Sequence, residues 1–531
     1  MGCARDAWWP QALPKLSRNP KRDTKMQIRT LLMTGAVAGI AFIGSANAKE
    51  TTASQAAAAA AQAQAQVDAL QTQITAMQAQ VAYMKRQLEI ITEKNPPNAK
   101  PAPKVVQSAT NKFSIESADG QYSIGLTGRI HADLGFYPGY DPKSKLTSPQ
   151  DLNSGFNLRR ARIGVTGKAA GDFTYAFIYD GGGSSDQLNA GNNNIQSAQV
   201  GYTGIKNSVI EFGYSDTFFT LDEATSSNDI LFMERATPGV VATNVNTGDF
   251  RSNVGGRYFD DRLWVGAYLT GPQSGNAHAV GESFGAYERV AYQVLSEPNY
   301  SLHIGAGVDE IIKAANAGPG TADTVTLSDR PELRVDPTAI LTTGALGSIS
   351  STGVSHAVNG GYITDLEVAG GYDSFYFQGE WLHFSINRLG LSTADFDGEY
   401  GEVGYTLTGE SRKYNKAAGA YGGIIPSHAF SPKDGYWGAF EVGARVSYID
   451  LTDQFTPGVS TASQPNAING GKETLFTAGL NWYPNSYMRF MLNYIHTDYD
   501  KANPATSGGV PIGRNIGATV DAIAIRSQVA W

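Results

Sequence analysis

QYSIGLTGRIHADLGFY, Gln121 to Tyr137, changes character at every residue. Its even positions read Tyr122, Ile124, Leu126, Gly128, Ile130, Ala132, Leu134 and Phe136. Its odd positions read Ser123, Gly125, Thr127, Arg129, His131 and Asp133. A period of two sends successive side chains to opposite faces of a β-strand, so one face here is apolar with aromatic ends and the other is polar and charged. The split recurs where Phe440, Val442, Ala444, Val446 and Tyr448 oppose Glu441, Gly443, Arg445 and Ser447, and where Met488, Phe490, Leu492 and Tyr494 oppose Arg489 and Asn493. Repeated alternation with aromatic flanks is the pattern of a transmembrane β-barrel.

A soluble β-sandwich alternates too, so two further features decide between them. Connections alternate between short ones (KAAGD at 168–172, YPNS at 483–486) and long Gly/Asn/Ser-rich ones (181–193, 453–470). The chain ends QVAW, with Ile525, Val529 and Trp531 in one parity, and resembles a strand closed by the aromatic outer-membrane assembly signal. The reading is an all-β antiparallel barrel over residues 112–531, of about 16 strands.

Composition agrees. Among 531 residues, Gly 60 and Tyr 26 are high and charged residues reach only 17%, below the roughly 25% of soluble domains. MQIRTLLMTGAVAGIAFIGSANA, Met26 to Ala48, has a basic start (Lys25, Arg29), an apolar stretch from Leu31 to Ile43 and a small-residue cleavage site, and reads as a signal peptide. Residues 1–25 carry no structural pattern and read as an upstream start assignment. Removing 1–48 takes away seven Lys/Arg and two Asp/Glu and moves the formal charge from −8 to −13. Nucleic acid is therefore not an expected partner. The sole cysteine, Cys3, leaves with the same segment, so no disulfide framework is expected. Beyond the signal no apolar run approaches the ~18 residues of a membrane helix, which leaves a closed barrel as the way to span.

Before the barrel lies a different period. Val67, Leu70, Ile74, Met77, Val81, Met84, Leu88 and Ile91 alternate spacings of three and four. Such a seam predicts a coiled coil over 49–95, with three strands permitted but not fixed by the mixed seam residues; a lone surface helix is the alternative. NPPNAKPAPK, 95–104, predicts a stiff extended linker over 96–111.

NLRRARIGVTGK, 157–168, poses a burial problem, with Arg159, Arg160 and Arg162 running into Ile163 and Val165. Arginine facing lipid near the midplane costs roughly 2–4 kcal/mol, so these side chains belong in the lumen. Parity assigns Arg129, Arg160, Arg162, Arg257, Arg289, Arg445, Arg489 and Arg526 to that face, with Glu211, Glu380, Glu441 and Asp133 among them. Arg159 breaks the parity, which calls for a bulge or a strand starting just after it. A rigid guanidinium fork can pass phosphate or carboxylate from one residue to the next. The alternative is a general pore in which the same arginines pair with lumen carboxylates.

Six segments in order, LTGRIHADLG (126–135), NLRRARIGVTGK (157–168), FTLDEATSSNDILFMERATP (219–238), GEVGYTLTGESRKY (401–414), GYWGAFEVGARVSYIDLTD (435–453) and LNWYPNSYMRFMLNYIHTDYD (480–500), resemble the phosphate-selective porin O and P family. The resemblance implies a homotrimeric 16-stranded outer-membrane barrel narrowed by an inward-folded loop, conducting small inorganic anions along arginines. It implies lumen roles for Arg129, Arg159 and Arg160. It places LDEATSSNDILFMER on the constriction loop with Ser226, Ser227 and Arg235 at matching positions, and RPELR, with Arg330 and Arg334, on a second segment folding into the mouth. Where phosphate-specific members carry a lysine pair, this chain has Glu223 and Asn228, so Glu223 is expected to weaken anion affinity in the passage.

The function expected is passive, arginine-guided diffusion of small anions, phosphate or polyphosphate among them, through the outer membrane. The alternatives are a general or differently selective porin, or a tether joining outer membrane to peptidoglycan through a periplasmic coiled coil. Enzymatic readings find no support: the seven histidines lack metal spacing and GGG at 181–183 lacks a following Lys-Ser/Thr, so neither cofactor nor metal is expected.

Overall fold

The computed structural model describes residues 53–94, 102–106, 113–144, 152–182, 194–245, 248–272, 280–503 and 513–531. The upstream segment 1–25, the signal peptide 26–48 and much of the linker lie outside the described residues. One unit contains the helix α1, Ala53–Lys94. Its seam residues Val67, Leu70, Ile74, Met77, Val81 and Met84 are exposed in the single chain, Val67 by 44% and Leu70 by 58%, an apolar stripe left uncovered among the described residues.

The second unit is a barrel of sixteen strands: β1 Ser123–Pro142, β2 Gly155–Ala169, β3 Phe173–Asp180, β4 Ile195–Tyr202, β5 Ser208–Asp216, β6 Phe250–Phe259, β7 Leu263–Thr270, β8 Phe284–Ser296, β9 Tyr300–Lys313, β10 Val358–Tyr372, β11 Phe375–Arg388, β12 Ala394–Thr406, β13 Ala439–Asp453, β14 Ile468–Asn485, β15 Met488–Asp500 and β16 Ala518–Ala530. Each pairs antiparallel with the next, and β16 pairs with β1 from Ala518 opposite Pro142 to Ala530 opposite Arg129. Closure leaves no unpaired edge in the wall. The seam is fastened at Gly128, whose N–H donates to the Trp531 carbonyl while the Trp531 N–H donates to the Gly128 carbonyl, both at 3.0 Å. A Cβ on Gly128 would lie 2.4 Å from the Trp531 ring, so glycine there makes room for the terminal aromatic.

The parity read from sequence is the parity of the wall. Ile124, Leu126, Ile130 and Phe136 are exposed on the outside, while His131 and Asp133 are buried within. The apolar exterior of strands such as β1 is what a hydrocarbon surround demands, while β12 also turns Asp395, Asp397 and Glu399 outward. The sheet extends further than expected at its N-terminal edge. Within the linker, Lys104–Val106 pairs with Ser114–Glu116, which pairs in turn with the start of β1. The β-branched Val105–Val106 pair favours strand over a solvated polyproline extension.

The interior is not an open tube. Three connections, 217–249, 314–357 and 407–438, pack inside the wall. Val241 and Val245 of the first and Leu327 and Leu341 of the second join Ile363, Leu382, Phe384 and Ile449 in one apolar cluster. Met233 and Leu333 meet Leu475, Met491 and Ile495 in another. Tyr421 of the third packs with Leu221, Ala369 and Tyr376.

Candidate functional site

The first inward connection starts with a short helix, α2, Leu221–Ala224, capped by Thr220, whose hydroxyl accepts the Glu223 N–H. The wall reaches it through Glu380, which accepts the N–H groups of Leu221 and Asp222 at 2.5 and 3.1 Å. A carboxylate at a helix start satisfies donors that have no partner within the helix. Arg235 folds the loop back on itself. Its Nε donates to the Asp222 carbonyl at 3.0 Å and its Nη2 to the Thr225 carbonyl at 3.1 Å, and it pairs with Glu223 Oε2 at 3.0 Å. A second helix, α3, Thr237–Asn244, follows with Pro238 in its first turn.

Glu223 is buried inside the loop and paired with Arg235, a contact that offsets its charge locally.

The wall arginines grip the loop. Between β1 and β2 the register slips at His131/Ala132: His131 faces Arg160, and Ala132 faces Leu158. Arg159 is the extra residue of this β-bulge, so it and Arg160 both turn inward, 3% and 1% exposed. Arg159 bonds Glu234 with both prongs, Nε to Oε1 at 2.9 Å and Nη2 to Oε2 at 3.0 Å. Arg526 holds Asp133 through two bonds of 2.7 Å and also reaches Glu234 at 2.6 Å. Arg160 stands farther off, 4.0 Å from Glu234 and 3.5 Å from His131 Nδ1. Arg162 pairs with Asp180 at 2.7 Å.

Arg445, placed on the lumen face by parity, anchors the second inward connection. It meets Glu332 at 2.5 Å and Glu402 at 3.5 Å, and donates to the Glu234 carbonyl. Glu332 also accepts from Ser447 and Thr477, and it does so from a left-handed backbone at φ +40, an unusual conformation outside glycine that its buried contacts hold in place. In the same RPELR segment Arg334 pairs with Asp329 at 3.0 Å and donates to the Arg330 carbonyl, while Arg330 is buried at 6% exposure. Burial pushes the Asp329 carboxyl up to about 6, against the pull of Arg334.

A different set gathers at the loop tip, where Ser226, Asn228 and Asp229 are half-buried. Arg129 donates to Ser227 Oγ at 2.6 Å, and Arg489 donates to the carbonyls of Ile230 and Leu231 at 2.7 and 2.9 Å while lying 5.0 Å over the Tyr483 ring. Among the described residues neither has a carboxylate in salt-bridge contact. His131 Nε2 meets Asn228 Oδ1 at 3.0 Å, and Gln528 donates to the Asn228 carbonyl. Burial raises the Asp229 carboxyl, with Arg412, Arg129 and Arg489 pulling the other way. The tip therefore presents hydroxyls and an amide beside two guanidiniums that form no salt bridge among the described residues, with the Asp229 carboxyl in their field, and that combination can hold a small anion in transit.

Arg412 was missed in the sequence. It sits in the 407–438 connection, bonds Glu441 twice at 2.8 and 2.9 Å, donates to the Asp229 carbonyl, and lies 4.9 Å over the Tyr376 ring. A signal existed: this long segment occupies the end of the barrel where other strands join by short turns. Arg257 pairs with Glu211, and Arg289 with Glu367 at 2.9 Å, as lumen residues in the expected parity.

Residues 124–531 match the family model described as phosphate-selective porin O and P. Porin O of Pseudomonas aeruginosa is 26% identical over 415 residues, 75% of this chain and 88% of that protein. An uncharacterized protein of Caulobacter vibrioides is 25% identical over 437 residues, 79% of this chain and 77% of that protein. Among solved structures, an anion-selective porin from Comamonas acidovorans aligns with a TM-score of 0.43 at 13% identity, covering 77% of this chain and all of that one (100%). The trimer form of OmpT from Vibrio cholerae aligns with 0.43 at 14% identity, covering 77% and 99%.

Proposed function

Because the chain belongs to the phosphate-selective porin O and P family and is an outer-membrane porin, we propose that it passes small inorganic anions, phosphate among them, by passive diffusion past Arg129 and Arg489 at the tip of the 217–249 loop. The observation that carries this reading is the contrast between two classes of lumen arginine. Arg159, Arg162, Arg235, Arg334, Arg445 and Arg526 are paired with carboxylates and fix the loops. Among the described residues Arg129, half-buried, and Arg489, buried, bond only a hydroxyl or carbonyls and form no salt bridge, with Asp229 in the field of both. Attraction by the second class, with exchange to Ser226, Ser227 and Asn228, gives binding weak enough for release. Arginine guidance on this reading is shorter than a ladder through the whole lumen.

The assembly is a homotrimer. The exposed heptad stripe of α1 supports a coiled coil of three chains in the periplasm, close enough to peptidoglycan to tether the barrel. Phosphate block of chloride current through single channels tests the anion path: block in the wild type and its loss in Arg129→Ala is expected. Equal chloride current with and without phosphate contradicts phosphate as a permeant, and a sealed barrel with no current favours the tether.

A further inference from the structure

Glu367 of β10 lies directly opposite Glu380 of β11 in the strand register, and Asp365 sits two residues along on the same inner face. Like charges opposed across an antiparallel pair repel, and these three are fully or nearly fully buried, at 0%, 5% and 3% exposure for Asp365, Glu367 and Glu380. One carboxylate oxygen from each lies within 4.8 Å of the others. Glu367 is bound by Arg289 and by His303 Nε2 at 2.9 Å, and Glu380 by Tyr400 and the two α2 N–H groups. Arg289 is the one guanidinium paired within the trio. Neither oxygen of Asp365 meets a donor among the described residues, although the side chain is wholly enclosed and aimed at the other two.

We propose that Asp365, Glu367 and Glu380 form a site for a hard divalent cation, Ca²⁺ by its reach, in the barrel wall at the root of the constriction loop. Three carboxylates and one arginine leave two negative charges, which one divalent ion balances. All-oxygen donors select Ca²⁺ or Mg²⁺ over softer metals, and carboxylate oxygens that all lie within 4.8 Å of one another are close enough to share one ion at the roughly 2.3–2.6 Å of Ca²⁺–oxygen bonds. No spacing in the sequence reveals the trio, because its members come from two strands and only the register joins them. Since Glu380 also caps α2, the ion would steady the start of the loop that narrows the pore.

The test is metal analysis of the full-length protein, extracted from outer membranes and washed with EDTA to strip exposed ions. An enclosed site retains about one divalent ion per chain through this wash, and Asp365→Asn, which changes the one member without a donor, loses it. A second measurement needs no variant: wild type refolded in detergent with millimolar CaCl₂ should unfold at a higher temperature than wild type refolded in EDTA, and Tb³⁺ bound in its place should luminesce on excitation of Tyr400. Washed wild type with no ion, combined with identical melting after refolding with CaCl₂ or EDTA, overturns the proposal. So does an Asp365→Asn protein that folds and keeps its full metal content.

Discussion

Arg159 and Glu234 meet through two parallel bonds of 2.9 and 3.0 Å, one residue on a bulge of the barrel wall and the other on the loop folded inside it. The bulge is what brings Arg159 inward beside Arg160. The fork fixes both distance and orientation, so the loop is positioned by geometry and not by charge alone.

Glu234→Gln should therefore loosen the loop. It leaves Arg159 and Arg526 buried without their shared carboxylate, a change that costs up to about 3–5 kcal/mol when a buried pair is broken. Lower thermal stability of the folded barrel and flickering single-channel current are expected. A variant with wild-type melting and steady current would show that the fork does not hold the loop.

Arg129→Ala should behave in the opposite way. Among the described residues its one side-chain hydrogen bond goes to Ser227, so stability should change by no more than about 1 kcal/mol. Chloride conductance should fall several-fold at low salt, where the lost positive charge is least screened. Conductance equal to wild type at low salt would remove Arg129 from the path.

Glu223→Lys should disturb the loop as well as change its charge. Were Glu223 in the aperture, a lysine there would raise anion selectivity. Paired as it is with Arg235, a lysine sets two cations together inside the loop, and the expected result is a wider, less selective channel with reduced stability. Raised anion selectivity at unchanged conductance would return Glu223 to the passage.

Acidification should increase anion selectivity. The Asp329 carboxyl, held up to about 6 by burial, gains a proton as pH falls from neutral toward 5, and burial raises the Asp229 carboxyl in the same direction. Each proton removes a negative charge from the inward loops. The folded protein holds the Asp329 proton more tightly than the unfolded chain, so this group adds stability as pH falls between about 6 and its usual 3.8. Asp329→Asn should flatten part of the selectivity response, and a profile identical to wild type would exclude this residue as a contributor.

Much of the barrel was legible because a membrane wall imposes one rule on every strand. Alternation in residues such as Ile130, His131, Ala132 and Asp133 reports inside and outside directly, and the misfit of Arg159 announced the bulge. Lumen pairing was less legible. Glu234 and Arg159 are 75 residues apart, and no periodicity tells which carboxylate a loop will carry to which arginine. The pairing of Glu223 was hidden for the same reason, since it depends on Arg235 turning back over α2. The 407–438 connection hid its inward course because its contacts, Arg412 with Glu441 and Tyr421 with Tyr376, are tertiary.

The central claim is that unpaired guanidinium charge at the loop tip selects for anions. Its most direct test is the reversal potential of the channel in a planar bilayer under a KCl gradient. The wild type should show a potential set by chloride, moving toward zero in an Arg129→Ala, Arg489→Ala double variant that still forms stable barrels. A potassium-selective wild type, or a double variant whose reversal potential equals that of the wild type, would contradict it.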